Sequence, residues 1–217
     1  MATLKPGQIG DFNGKIGQVV ISKWRQLTVG RSTPKKSSKK ATLTQLEQQS
    51  KFALVTTFIS RVGGAISVGY QNSSGNLTPY NVAVRYHLNN TVIGEYPAYQ
   101  IDYSKVRLSA PRFANEIDAA VTVTMGSPLN SIVPLTWTSK INGIGATQDT
   151  DKTFIVFYNV SENMFMIFES EAARSALTVN VRVPDENITD EIHGWMFFVS
   201  ANRKLVSKTS YLGKVEL

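Results

Sequence analysis

Residues 153–168 read TFIVFYNVSENMFMIF, and the fold class follows from this pattern. The stretch holds two apolar runs, rich in aromatic and β-branched residues, on either side of the polar residues Ser161, Glu162 and Asn163. Runs of this length and composition, bounded by polar turn residues, are typical of buried strands. The pattern therefore predicts two consecutive β-strands with a short connection.

Runs of the same kind recur on both sides of this stretch, from Tyr99 onward, separated by clusters of Gly, Asn, Asp, Ser or Pro. Short strands at regular spacing indicate a sandwich or a barrel. We therefore expect an antiparallel β-sandwich over residues 99–217. The further runs are YQIDYSKVRL (99–108), AAVTVTM (119–125), IVPLTWTS (132–139), ALTVNVRV (176–183), EIHGWMFFVS (191–200) and LVSKTSYLGKVEL (205–217).

Aromatic residues in these runs follow a familiar order. Trp137 lies in one predicted strand, and Phe157 and Tyr158 lie in the next one, about twenty residues later. This order resembles the early Trp and later Tyr of fibronectin type III domains, over roughly residues 116–217. The resemblance implies an immunoglobulin-like or fibronectin-like sandwich.

A helical portion is predicted before the strands, over residues 41–98. Thr44 and Glu47 have the spacing of a capping box, and apolar residues then recur at helical steps until Gly63 and Gly64. This predicts a helix from Leu43 to Val62. The recurring residues are Phe52, Val55, Ile59, Val62 and Ile66.

A second candidate helix begins after Thr78, a residue suited to the N-cap, with Pro79 at the first helical position and Gly94 beyond its end. Apolar residues spaced by four support the helix. The alternating run of Val82, Val84, Tyr86 and Leu88 suits a strand equally well, so both alternatives stay open.

Residues 1–40 form a basic segment with five glycines and the polar run STPKKSSKK (32–40). Between them lies IGQVVISKW (16–24), whose alternation places Val19 and Ile21 on one face and Val20 and Trp24 on the other. The segment is predicted to be an extended arm, or a hairpin that needs a partner sheet. The predicted architecture is thus α+β and mainly β, with this arm at the N-terminus.

The positive charge is concentrated near the N-terminus. Residues 1–51 carry ten Lys and Arg against two acidic residues, a net charge of +8, while the remaining residues carry 13 basic and 14 acidic side chains, a net of −1. Such an arm can neutralise nucleic-acid phosphates, contact an acidic neighbouring subunit, or stay in solvent. The candidate contact residues are Lys23, Trp24, Arg25, Arg31, Lys35, Lys36, Lys39 and Lys40.

The sequence shows no catalytic or metal-binding pattern, so we expect no enzyme, no cofactor and no metal. The chain has no cysteine, and its two histidines, His87 and His193, lie far apart and are interpreted as packing or surface residues. The acidic pairs are Asp149 with Asp151, Asp185 with Glu186, and Asp190 with Glu191, all in predicted loops. The first pair lacks a full calcium-loop pattern, and all three are interpreted as solvated turn carboxylates. The glycines lack the Lys and hydroxyl residue of a phosphate loop.

The expected location is a virion or the cytoplasm. No apolar run approaches the roughly 18–20 residues of a membrane helix, and the start, MATLKPGQIGDFNGK, lacks the apolar stretch of a secretory signal. We therefore expect no membrane span and no signal peptide. With 217 residues, of which 42% are apolar, the chain is predicted to hold one compact domain plus an extension.

Motifs along the chain resemble an uncharacterised bacterial and phage family. They are GKIGQVV (14–20), KWRQLTVGR (23–31), TLTQLEQQSKF (42–52), GEYPAYQIDYSKVRLS (94–109) and the final LVSKTSYLGKVEL. The N-terminal pattern of G-K-x-G, an Arg and T-x-x-Q is also similar to that of small phage structural proteins. The resemblance implies a structural or assembly protein of phage or prophage type, present as a homo-oligomer or with other subunits.

Two alternatives come from other functional classes. A nucleic-acid-binding protein would use the basic arm, with affinity that falls steeply with salt. A carbohydrate or cell-surface binding module would use exposed aromatic residues, for which Tyr96, Tyr99 and Trp195 are the candidates.

Overall fold

The structure is a computed structural model that describes residues 2–4, 13–24, 27–35, 38–72, 77–111, 123–125, 131–138, 148–184 and 191–215. The chain divides into two compact units, Met1–Thr42 and Leu43–Leu217. The basic arm was predicted to span residues 1–40. The helical portion and the β portion, by contrast, belong to the same unit and share a core.

The first unit is a four-stranded antiparallel sheet. Its strands are β1 (Ala2–Leu4), β2 (Gly14–Ile16), β3 (Val19–Trp24) and β4 (Leu27–Ser32), in the order β1-β4-β3-β2. The turn between β2 and β3 contains Gly17 with φ of +56°, a conformation that favours glycine. Of the two forms predicted for this segment, the hairpin is the one observed, and β1 and β4 extend it.

The described part of the second unit opens with the helices α1 (Leu43–Arg61), α2 (Gly63–Gly69) and α3 (Pro79–Asn90). The predicted helix α1 is confirmed. In α3, the Thr78 side chain accepts a hydrogen bond from the Asn81 amide at 3.2 Å, which confirms the predicted N-cap. Its apolar residues therefore follow the helical spacing and not the strand alternative. No single helix among the described residues is long and apolar enough to cross a membrane.

The strands of the second unit form two larger sheets and one short ribbon. One sheet has the order β10-β9-β12-β13 and the other has the order β11-β8-β7, all antiparallel. The ranges are β5 (Val92–Ile93), β6 (Gln100–Ile101), β7 (Val123–Met125), β8 (Ile132–Trp137), β9 (Lys152–Asn159), β10 (Met164–Ala173), β11 (Thr178–Arg182), β12 (Ile192–Val199) and β13 (Ser210–Val215).

The four-stranded sheet of this unit is covered on both faces. On one face, Trp195 and Phe197 of β12 pack in a cluster with Ile59 and Ala83 of the helices. On the other face, Phe198 packs in a cluster with residues of the three-stranded sheet. The predicted mainly β sandwich is therefore confirmed, with a helical layer on its outer face. This double burial explains why β12 is buried along its whole length and mostly apolar instead of alternating.

The prediction of a strand over residues 99–108 is wrong for most of these residues. Of residues 99–108, only Gln100–Ile101 forms a strand, and Tyr103–Lys105 forms a 3₁₀ turn. The Asp102 carboxylate accepts a hydrogen bond from the Ser104 amide at 3.1 Å and caps this turn. A local side-chain bond of this kind competes with strand pairing.

Candidate functional site

The predicted basic residues in the described strands do not share one face of the first sheet. Lys23 pairs with Thr28 and Arg31 pairs with Val20, so strand alternation places Lys23 and Arg31 on opposite faces. Trp24 pairs with Leu27. Lys35, Lys39 and Lys40 are exposed and follow β4, whereas Arg25 and Lys36 lie outside the described residues. Their contact role stays a prediction.

One face of the first sheet carries neighbouring apolar residues, which we call the apolar face: Ile16, Val19 and Ile21. Ile16 pairs with Val19, and Ile21 lies two residues further along β3, so all three share a face. Ile21 is 8% exposed, but Ile16 is 54% and Val19 is 45% exposed. Two of these three apolar side chains are therefore largely exposed, and Lys23 lies on the same face, two residues beyond Ile21.

A groove of about 450 Å³ lies in the second unit, between α1, the segment 99–103 and the turn after β9. Four aromatic residues line it: Phe58, Tyr99, Tyr103 and Tyr158. We call it the aromatic groove. Its remaining lining is mixed, with three apolar residues and four polar ones. These are Leu54, Ile101 and Val160, and Thr57, Gln100, Asn163 and Glu191.

Three rings of the aromatic groove pack against one another. Phe58 and Tyr158 meet edge to face with centroids 5.4 Å apart, and Tyr103 lies 5.6 Å from Tyr158. The Tyr158 hydroxyl donates to the Asn163 Oδ1 at 2.8 Å, which fixes the amide. Burial raises the pKa of Tyr103 to about 12, so this phenol keeps its proton at neutral pH.

Glu191 enters the groove as the end of a hydrogen-bonded network. His193 Nε2 lies 3.1 Å from Glu191 Oε1, and His193 Nδ1 lies 2.6 Å from the Tyr211 hydroxyl. Because the carboxylate only accepts, Nε2 carries the proton and Nδ1 accepts from Tyr211. The hydrogen bond from His193 and then the charge of Lys214 lower the pKa of Glu191, so this carboxylate is ionised at neutral pH.

This network does not produce an activated nucleophile. Burial lowers the pKa of His193 and raises the pKa of Tyr211, so the imidazole is neutral and the phenol keeps its proton at neutral pH. The Tyr103 ring packs on His193 with centroids 4.2 Å apart. The network therefore holds Glu191 in place beside the rings. Within the described ranges, no group of three His, Asp or Glu residues could hold a metal ion.

Three aromatic residues were candidates for sugar binding, and the structure separates them. Trp195 is fully buried and donates its indole N–H to the Tyr103 carbonyl at 3.2 Å. Tyr96 is exposed but does not line the groove, whereas Tyr99 does. The sequence did not identify Phe58, Tyr103 and Tyr158 as candidate site residues, because their positions in apolar runs are typical of core residues.

The interpretation of Asp151 as a solvated carboxylate is wrong. Asp149 is exposed, but Asp151 is buried and lies beside the buried Arg174 guanidinium. Glu191 is half-exposed and bonded to His193. The other acidic residues predicted to be solvated lie outside the described residues: Asp185, Glu186 and Asp190.

His87 is a fully buried histidine held by two backbone groups. Its Nδ1 lies 2.7 Å from the Ala83 carbonyl, and its Nε2 accepts from the Arg107 amide at 3.3 Å. The carbonyl requires a proton on Nδ1, so the ring is neutral. Burial lowers the pKa of His87 to about 4. It is a core residue, as interpreted from the sequence.

The stability of the protein is expected to fall in mild acid because of His87. In the unfolded chain the pKa of His87 has its ordinary value of 6.5, whereas in the folded protein burial lowers this pKa to about 4. From about pH 7.5 to 5, unfolding should become easier by about 2 kcal/mol from this residue. Urea denaturation at each pH measures the fall. The His87→Gln variant should lack this part of the fall in unfolding free energy, and His193→Gln should retain it. An equal dependence of unfolding free energy on pH for wild type and His87→Gln would contradict the assignment.

Fold and sites together define a class of protein: a two-unit, mainly β α+β protein in which a basic sheet precedes a helix-covered sandwich. The sequence matches a family of unknown function, DUF6266, over residues 11–213. The chain belongs to this family, which confirms the resemblance to an uncharacterised family. None of the curated proteins matches the chain.

Proposed function

We propose that this is a non-enzymatic structural or assembly protein of phage or prophage type, a component of a virion or related particle. In this proposal the first unit docks on a neighbouring subunit. The observation that carries the proposal is the apolar face of the first sheet, where Ile16 and Val19 are exposed beside the buried Ile21.

The physical reason is that the described strands of the first unit form a single sheet. A sheet gains most of its stability from apolar residues that another layer covers. Covering the apolar face of Ile16, Val19 and Ile21 would remove these side chains from water, at about 25 cal/mol for each Å² buried. A docked neighbour supplies that layer.

Charge favours the body of a neighbouring copy as the docking surface. Residues 1–42 carry nine Lys and Arg against one Asp, a net of +8, and residues 43–217 carry 14 basic against 15 acidic residues, a net of −1. Two basic sheets would repel one another, whereas the near-neutral body would not. Contacts between different surfaces of identical subunits build rings or filaments. The phage assignment rests on the resemblance of the N-terminal motifs.

The assembly should be concentration-dependent and should weaken when the apolar face becomes polar. Size-exclusion chromatography with light scattering should give a mass above the 23.9 kDa of one chain. Val19→Ser should weaken association about tenfold, because a buried Val contributes about 1.5 kcal/mol or more. Leu27→Ser is the matched control, since Leu27 has similar exposure, 43%, on the opposite face.

A strict monomer at high concentration would overturn the assembly proposal, and equal effects of the two variants would overturn the choice of face. Nucleic acid that copurifies and dissociates with salt would favour the alternative function. In that case, replacing Lys35, Lys36, Lys39 and Lys40 with Ala should reduce the slope of affinity against salt.

A further inference from the structure

The aromatic groove combines an aromatic floor with hydrogen-bonding groups at its edge. From this combination we infer that the groove binds a neutral carbohydrate, through stacking on the half-buried rings of Tyr99 and Tyr103 and hydrogen bonds to Glu191 and Asn163. The volume, about 450 Å³, lies in the usual range of about 300–1,000 Å³ for small-molecule sites. The site belongs to the second unit alone, so it is independent of the proposed docking of the first sheet.

The charges around the groove disfavour a cationic ligand. Glu191 is the charged residue among those that line the groove, and Lys214 Nζ lies 3.6 Å from Glu191 Oε2. Lys51 Nζ lies 4.8 Å from the Tyr99 ring centroid, and Arg61 Nη1 donates to the Asn163 carbonyl at 2.8 Å. These groups carry one negative and three positive charges, so a cation meets net repulsion, while an anion inside the groove meets the Glu191 carboxylate. A neutral ligand avoids both.

The polar groups also disfavour a purely apolar ligand. Covering Thr57, Gln100 and Glu191 with hydrocarbon would remove them from water without replacing their hydrogen bonds, at a cost of roughly 1–3 kcal/mol each. A sugar avoids this cost because its hydroxyl groups donate and accept hydrogen bonds. The C–H face of the same sugar ring can lie on an aromatic ring.

The groove is preorganised for such a ligand. The rings of Phe58, Tyr103 and Tyr158 are already packed against each other, so little side-chain freedom remains to be lost on binding. The Glu191 carboxylate is held by His193 and can accept further bonds, because it has about four acceptor positions. The Asn163 amide is oriented by the Tyr158 hydroxyl and carries two N–H donors.

Binding can be tested on the full chain with neutral hexasaccharides of glucose, N-acetylglucosamine, mannose and xylose at millimolar concentration. Saturation-transfer NMR and tryptophan fluorescence should show saturable binding of at least one of them, since Trp195 touches Tyr103. Tyr99→Ala and Glu191→Gln should each weaken that binding at least about tenfold. Tyr96→Ala is the matched control, because Tyr96 is 39% exposed near Tyr99 but does not line the groove.

Three outcomes would overturn the inference. The first is the absence of saturable binding for all four sugars. The second is an equal loss of binding in Tyr96→Ala and Tyr99→Ala. The third is preferential binding of a charged probe, either a lysine-rich peptide or a sialylated glycan. Unchanged melting temperatures would show that the variants are folded, and light scattering of the same samples separates sugar binding from assembly.

Discussion

Replacing Asp151 with Ala is expected to lower the free energy of unfolding by about 3–5 kcal/mol. Asp151 and Arg174 are 1% and 0% exposed, and Arg174 Nη1 lies 4.0 Å from Asp151 Oδ2. Removal of the carboxylate would take away a negative charge beside a buried guanidinium. Asp151 Oδ2 also accepts the Gln148 amide at 3.0 Å, so the loop before β9 would lose a hydrogen bond as well.

The surroundings of Arg174 leave it little freedom to reach water. The guanidinium lies over the Phe198 ring, 4.9 Å from its centroid. Its backbone carbonyl accepts the Trp137 indole N–H at 2.8 Å, and its backbone amide donates to the Asp151 carbonyl at 2.7 Å. These bonds connect Arg174 to both sheets of the sandwich. The charge therefore cannot escape by a change of rotamer alone.

Chemical denaturation measures the loss, with Asp149→Ala as the matched control. Asp149 lies two residues away and is exposed, so its variant should stay within about 0.5 kcal/mol of wild type. Asp151→Leu combined with Arg174→Met should recover part of the stability lost in Asp151→Ala, because the uncompensated charge is gone. Similar stability of Asp149→Ala and Asp151→Ala would contradict the role of the ion pair.

The sequence predicted those elements whose local pattern and tertiary burial agree. In α3, the Thr78 cap and the apolar spacing indicate the helix that the core then stabilises. Strands β9 and β12 were predicted because their aromatic and β-branched runs suit strands buried on both faces, and the edge strand β10 was predicted from a similar run. The prediction that Asp151 is solvated was wrong because the surrounding residues are typical of a solvated turn. Its burial is explained by Arg174, which is distant in sequence.

Helix α2 was missed because tertiary contacts override its weak local propensity. Its sequence, GGAISVG, contains three glycines, which predict a break in the helix. Ala65 and Ile66 are nevertheless buried in the core shared with β9 and β12. This burial outweighs the low propensity, as tertiary context often does.

The aromatic groove was also beyond sequence reasoning. Its lining comes from α1, the segment after α3, the end of β9 and the residue before β12. No motif connects such distant positions. Phe58 and Tyr158 each fit a core pattern, and only their approach in space shows that they also line a surface. Tyr99 was identified because it was an aromatic residue next to a turn.

Replacing Gly69 with Ala is expected to destabilise the protein by about 3 kcal/mol or more. Gly69 ends α2, where its carbonyl accepts the Ala110 amide at 2.9 Å. A Cβ at this position would lie 2.9 Å from both Leu108 C and Ser109 Cα, and closer still to the Leu108 carbonyl oxygen. These are backbone atoms of a buried segment, so no side-chain rotation can relieve the overlap.

Gly63→Ala is the matched control, because it places the same methyl group at the other end of the same helix. A Cβ on Gly63 would meet nothing within 4 Å. This variant should therefore gain about 0.5–1 kcal/mol from the lower entropy of the unfolded chain and the better helix propensity of Ala. Urea denaturation should show a lower free energy of unfolding for Gly69→Ala and a higher one for Gly63→Ala, each relative to wild type, because only Gly69 lies against the backbone of residues 108–109. A Gly69→Ala protein as stable as Gly63→Ala would show that the two backbones are further apart.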